Sequence, residues 1–179
     1  MTTTFATLKK GSKGAAVAKL QERLKTLGYY SAAIDGDFGL RTEAAVIAFQ
    51  KGNTAVDGIV DVNTQLAIMR IIWIIERPIL MQGANGTEVK ELQFLLQKYE
   101  HILLPQIGCN LKLNVGAIDG DFGAKTKAAL ITFQTDRNLV ADGIVGVKTW
   151  EQLSRVVTFD ADDDNLVRQH FFFSIDDVA

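Results

Sequence analysis

Asp35-Gly36-Asp37 and Asp119-Gly120-Asp121 each set two carboxylates two positions apart in a turn-forming sequence. Carboxylates so placed can hold calcium or act as an acid–base pair on a glycosidic bond. A calcium loop of the EF-hand kind needs a third acidic or amide ligand at its fifth position and Glu at its twelfth. Those positions hold Gly39 and Val46 in one case, Gly123 and Leu130 in the other, so calcium by that route is not expected. Zinc calls for a ligand-spaced cluster, and the only two histidines, His101 and His170, lie far apart in the chain. Cys109 is the only cysteine, and no histidine is closer to it than His101. A cysteine nucleophile needs an adjacent base, so a passive thiol is expected, and no disulfide can form within the chain. No metal, cofactor or catalytic residue is expected, and the chain reads as no enzyme. The Asp pair occurs twice, and two similar sites on one chain point to a repetitive ligand before they point to a reaction.

The elements that must position these residues are themselves duplicated. Residues 34–50 and 118–134 match at 12 of 17 positions, which means two copies of one small folding unit. Each copy opens on Gly11-Ser12-Lys13-Gly14 or Gly83-Ala84-Asn85-Gly86, followed by Val17, Leu20, Leu24 and Leu27, or Val89, Leu92, Leu96 and Tyr99. That spacing draws one apolar stripe on a helix, with Ser12 or Thr87 able to satisfy amides near its start. The Asp-Gly turn leads to a second helix over about 40–51 and 124–136. There Thr42, Ala45, Val46 and Phe49 share a face, as do Thr126, Ala129, Leu130 and Phe133. A second turn, Asp57-Gly58-Ile59-Val60 or Asp142-Gly143-Ile144-Val145, precedes a third, shorter helix. The fold class expected is mainly α: two tandem three-helix-bundle repeats with Asp-Gly turns, over 1–77 and 78–157, plus a C-terminal extension over 158–179. The second copy carries about twelve extra residues around Leu103–Leu113, read as a tolerated surface loop.

Length and charge agree. With 179 residues and a net charge of −2, the chain gives no general reason to expect nucleic acid or an anionic membrane as partner. The charge is uneven: residues 158–179 hold six Asp and one Arg. The segment Ile71–Ile75 falls far short of the ~20 residues a membrane span needs and reads as a buried segment between the units. Together with Leu166–Ile175, it is expected to form the seam between them. Residues 1–10 lack a basic segment followed by an apolar run, so no signal peptide is read in the chain.

The ordered set Gly11, Gly14, Leu20-Gln21, Leu27-Gly28-Tyr29, Asp35-Gly36, Phe38-Gly39, Thr42, Phe49-Gln50, Asp57-Gly58 and Thr64 resembles the bacterial peptidoglycan-binding domain. That three-helix module is found beside cell-wall amidases, carboxypeptidases, transpeptidases and phage endolysins. The set returns as Gly83, Gly86, Leu92-Gln93, Asp119-Gly120, Phe122-Gly123, Thr126, Phe133-Gln134, Asp142-Gly143, Gly146 and Thr149, without the Leu-Gly-Tyr. The resemblance implies non-catalytic binding of a cell-wall glycan or stem peptide by both copies. The protein would then anchor or target a partner, such as a separate cell-wall hydrolase or assembly protein, at the cell envelope. The alternative is a protein–protein adaptor in an envelope-spanning or phage-like assembly, cytoplasmic or phage-associated. A groove for such a ligand needs fixed polar groups on an apolar or aromatic floor. The expected ligand-binding residues are Asp35, Asp37 and Arg41 in the first copy and Asp119, Asp121 and Lys125 in the second. Tyr29 and Tyr30 are expected as ring-stacking surfaces in the first copy alone.

Overall fold

The structure, a computed structural model, describes residues 6–103 and 111–156. Cys109, most of the inserted loop, Leu166–Ile175 and the 158–179 extension lie outside the described residues. The described chain divides into two units, residues 6–73 and 74–156. Among the described residues there are six α-helices and no strand longer than an isolated bridge: α1 (Ala15–Thr26), α2 (Leu40–Gln50), α3 (Val62–Ile75), α4 (Thr87–Lys98), α5 (Ala124–Asp136) and α6 (Val147–Leu153).

Each helix is set by its apolar spacing. On α1 the residues at i, i+3, i+4 and i+7, namely Val17, Leu20, Gln21 and Leu24, are buried. On α2 the buried face is Thr42, Ala45, Val46, Phe49 and Gln50, and α5 repeats it with Thr126, Ala129, Leu130, Phe133 and Gln134. Helix α1 packs on α2 and α4 on α5. Phe38 and Phe122, from the two Asp-Gly-Asp-Phe-Gly turns, are sealed into the respective cores, each burial stabilising by about 1.5–3 kcal/mol.

The chain enters α1 and α4 without a side-chain cap, through Gly14 and Gly86. Ser12 accepts from the Lys9 amide instead, and Thr87 is already helical, so the capping roles expected of both are not realised. The Gly-x-x-Gly segment pairs with the Asp-Gly turn: Gly14 N–H donates to Gly36 O at 2.8 Å and Phe38 N–H to Ser12 O at 2.9 Å. Gly86 with Gly120, and Phe122 with Ala84, repeat this at 3.0 and 2.9 Å.

Two expectations need correction. The third helix of the first unit is not the shorter one: α3 has 14 residues against 12 and 11 in α1 and α2. Ile71–Ile75 is its last turn and no segment apart, because Ile68, Ile71 and Ile72 continue the stripe begun by Thr64 and join the first unit's core.

The other difference concerns helix ends. Gly28, at φ 78°, closes α1, its amide donating to Lys25 O and that of Tyr29 to Leu24 O. Glu100 stands at the matching place in the second copy. With no glycine to turn the chain, α4 runs on as a π-helical turn over Tyr99–Leu103. The Tyr99 ring is buried edge-on against Phe133, and its hydroxyl donates to Asp136 and accepts from Arg137.

Candidate functional site

Gln21 sits in the apolar stripe of α1 and is fully buried. Its carboxamide nitrogen donates to Asp35 Oδ1 at 2.7 Å, Asp37 O at 3.1 Å and Thr42 Oγ1 at 3.1 Å. Its oxygen accepts from the Asp35 and Gly36 amides at 3.1 and 2.9 Å. Asp35 Oδ1 also accepts from the Asp37 amide at 2.9 Å, closing the turn on itself. One buried amide thus ties a helix, the following Asp-Gly turn and the first turn of the next helix.

The same latch occurs four times. Gln93 reaches Asp119 Oδ1 (2.8 Å), Asp121 O (3.1 Å) and Thr126 Oγ1 (3.2 Å), and accepts from the Gly120 amide (2.9 Å). Gln50, on α2, does this for Asp57, Ile59, Gly58 and Thr64, and Gln134, on α5, for Asp142, Ile144, Gly143 and Thr149. Each unit therefore contains the device twice, α1 to α2 and α2 to α3, then α4 to α5 and α5 to α6. The turn glycine must be glycine: Gly36 has φ 68°, and a Cβ there would stand 3.2 Å from Gly14 O.

This geometry assigns most signature residues to the frame. The Asp35 and Asp119 carboxylates are exposed, yet each has one oxygen turned back into its latch. The neighbouring Asp37 or Asp121 amide, then Gln21 or Gln93, holds them below the usual carboxylate range. Their latch role was not read from the sequence. The recurring signal was there: a polar residue inside an apolar stripe, followed by Asp-Gly and then Thr.

The remaining expected residues divide. Arg41 and Lys125 are exposed in the first turns of α2 and α5, and Arg41 is near enough to Asp35 to help lower its pKa. Asp37 is half-buried and ion-paired with Lys13 at 2.8 Å, whereas Asp121 is exposed with Asn85 at the place of Lys13. Tyr29 keeps 40% of its surface exposed and meets Phe49 edge-on at 5.5 Å, leaving ring surface for a ligand. Tyr30 does not: it is 5% exposed and faces the core. Its hydroxyl is bound between Gln21 and Ala33 O, so the stacking role expected of Tyr30 is withdrawn. In the first turn the paired carboxylates have different partners, Asp35 the Gln21 latch and Asp37 the Lys13 ammonium. Among the described residues no group of three His, Cys, Asp or Glu is placed to hold a metal, and no helix is long and apolar enough to cross a membrane.

Residues 13–68 and 85–153 match the peptidoglycan binding domain family. The chain is similar to the N-acetylmuramoyl-L-alanine amidase CwlL of Bacillus licheniformis, at 33% identity over 176 residues, 84% of this chain and 46% of that protein. It is also similar to the zinc D-Ala-D-Ala carboxypeptidase of Streptomyces albus G, at 38% identity over 85 residues, 48% of this chain and 28% of that enzyme. The crystal structure of the SleB N-terminal domain is 34% identical, covers 37% of this chain and 92% of its own, and superposes with a TM-score of 0.36. The chain spans less than half the length of the curated amidases it matches. With both matched segments coinciding with latch-built helix sets, the chain belongs to the peptidoglycan binding domain family, and carries that domain twice.

Proposed function

We propose that the protein binds bacterial cell-wall peptidoglycan through its two tandem modules, performs no chemistry on it, and anchors or targets a partner at the wall. The observation that carries this reading is one surface presented twice. In each unit the latch fixes an Asp-Gly turn with an exposed carboxylate, and the next helix offers a cation beside it: Asp35, Asp37 and Arg41, then Asp119, Asp121 and Lys125. Wall polymers offer hydroxyls and acetamido groups, which carboxylates can accept from. They also offer stem-peptide carboxylates, which Arg41 and Lys125 can meet. Tyr29 adds a ring for a sugar face in the first unit. The partner, on this reading, is a separate cell-wall hydrolase or assembly protein, and the compartment is the cell envelope.

Co-sedimentation of the full chain with intact, protein-free sacculi tests the reading. The chain pellets, and Arg41→Ala combined with Lys125→Ala lowers the bound fraction while the melting curve is unchanged. Asp35→Ala and Asp119→Ala are poor probes, since they open the latch. A well-folded chain that stays in the supernatant at every salt concentration sinks wall binding and turns the search to protein partners.

A further inference from the structure

The two modules share a frame but not the charges laid over it. Around the first Asp-Gly turn of the first unit, cations and carboxylates neutralise one another. Lys13 bonds Asp37 at 2.8 Å, Lys10 bonds Glu43 at 3.1 Å, and Ala18 is the α1 residue lying against Gly36. In the second unit Gln82 and Asn85 stand in place of Lys10 and Lys13, Lys127 in place of Glu43, and Lys90 in place of Ala18. Lys90 and Lys125 straddle the turn from two helices. The Lys90 stem passes Gly120 so closely that a Cβ there would meet its Cγ at 3.0 Å, and the Lys125 stem lies against Gly116. A lysine whose stem is packed on a turn glycine has fewer conformations to lose on binding, while its ammonium stays in water. Lys90 is near enough to Asp119 to help lower its pKa, but among the described residues no carboxylate lies within ion-pair distance of Lys90 or Lys125.

We infer that the second unit holds the tandem's principal oxyanion subsite, with Lys90 and Lys125 across the Gly116–Asp121 turn as its ligands. The first unit, with Lys10 and Lys13 held in ion pairs, offers Arg41 alone on the matching turn and contributes less of the charge. This rests on the wall-binding reading and names the chemistry it would use. The oxyanion is either a stem-peptide carboxylate or a phosphodiester of a wall-attached anionic polymer.

Two full-length variants of equal charge change separate this from general attraction. Lys90→Gln with Lys125→Gln lowers sacculus binding about tenfold and flattens its salt dependence. Lys10→Gln with Lys13→Gln leaves binding within about twofold, because those lysines are already neutralised. Loss from the Lys10/Lys13 pair as large as from Lys90/Lys125 overturns the assignment while wall binding stands. Failure of the unaltered chain to pellet removes wall binding and this subsite together. Sacculi stripped of phosphodiester polymer by hydrofluoric acid, with a stem peptide or its carboxyl-amidated form as competitor, identify the source. Loss of binding on stripping assigns the phosphodiester, and competition by the free peptide alone assigns the carboxylate. Undiminished binding with neither competitor effective overturns the proposal.

Discussion

At the scale of single residues, a buried glutamine is the central structural element of each module. Its carboxamide carries both donor and acceptor, and the Asp-Gly turn offers the complementary set, so no apolar residue of similar size can replace it. Gln93→Leu is therefore expected to strand the buried Gly120 amide and to cost about 2–4 kcal/mol in urea unfolding. Arg41→Ala, at an exposed position, should stay within about 0.5 kcal/mol. The latch carboxylates also set an acid limit. Asp35 and Asp119 are held below their ordinary range when folded, so their contribution is complete above about pH 4 and is lost as pH falls through the folded values. Asp35→Asn with Asp119→Asn keeps an acceptor in each turn but removes the titration. The urea midpoint of that variant should fall less steeply than wild type between about pH 4 and 2; identical profiles would show that the latch carboxylates do not link folding to protons.

At the scale of elements, helix ends are decided by whether the chain supplies a glycine. Gly28 stops α1, and Glu100 in its place lets α4 run on into a π-helical turn. Between elements the limit is space: Gly36→Ala meets both a positive φ and Gly14 O, and should cost about 1–2 kcal/mol. The long α3 gives a test of its own. Ile72 is in the core and Ile75 is half exposed, so Ile72→Ala should cost about 2–4 kcal/mol and Ile75→Ala under about 0.5 kcal/mol. Equal effects would contradict a helical face through that segment.

At the scale of the whole molecule, what matters is that the module is doubled. Weak sites on one chain gain when both engage one polymer, by ~10² or more over either alone. Disabling the first unit by Tyr29→Ala with Arg41→Ala should therefore reduce sacculus affinity far more than loss of one weak contact would. The second unit's Lys90→Gln with Lys125→Gln should reduce it further. Additive, small losses would mean that the modules do not bind one polymer together.

Periodicity and turn chemistry determined the helices, their order and their duplication, because local spacing of apolar residues and Asp-Gly pairs is sufficient to specify them. The family, too, was legible from the order of Gly, Leu-Gln, Asp-Gly, Phe-Gly, Thr and Phe-Gln. Which of those residues stay exposed was not. Tyr29 and Tyr30 are adjacent letters, and only packing against Phe49 and the Gln21 latch decides that one keeps an open ring while the other is sealed. Asp35 and Asp37 are equally spaced carboxylates, and only the tertiary structure gives one to a buried amide and the other to Lys13. Hydrogen bonds and ion pairs between residues 14 to 28 positions apart in sequence are set by how helices and turns meet, and that information lies in the packed core and not in any local run of the chain.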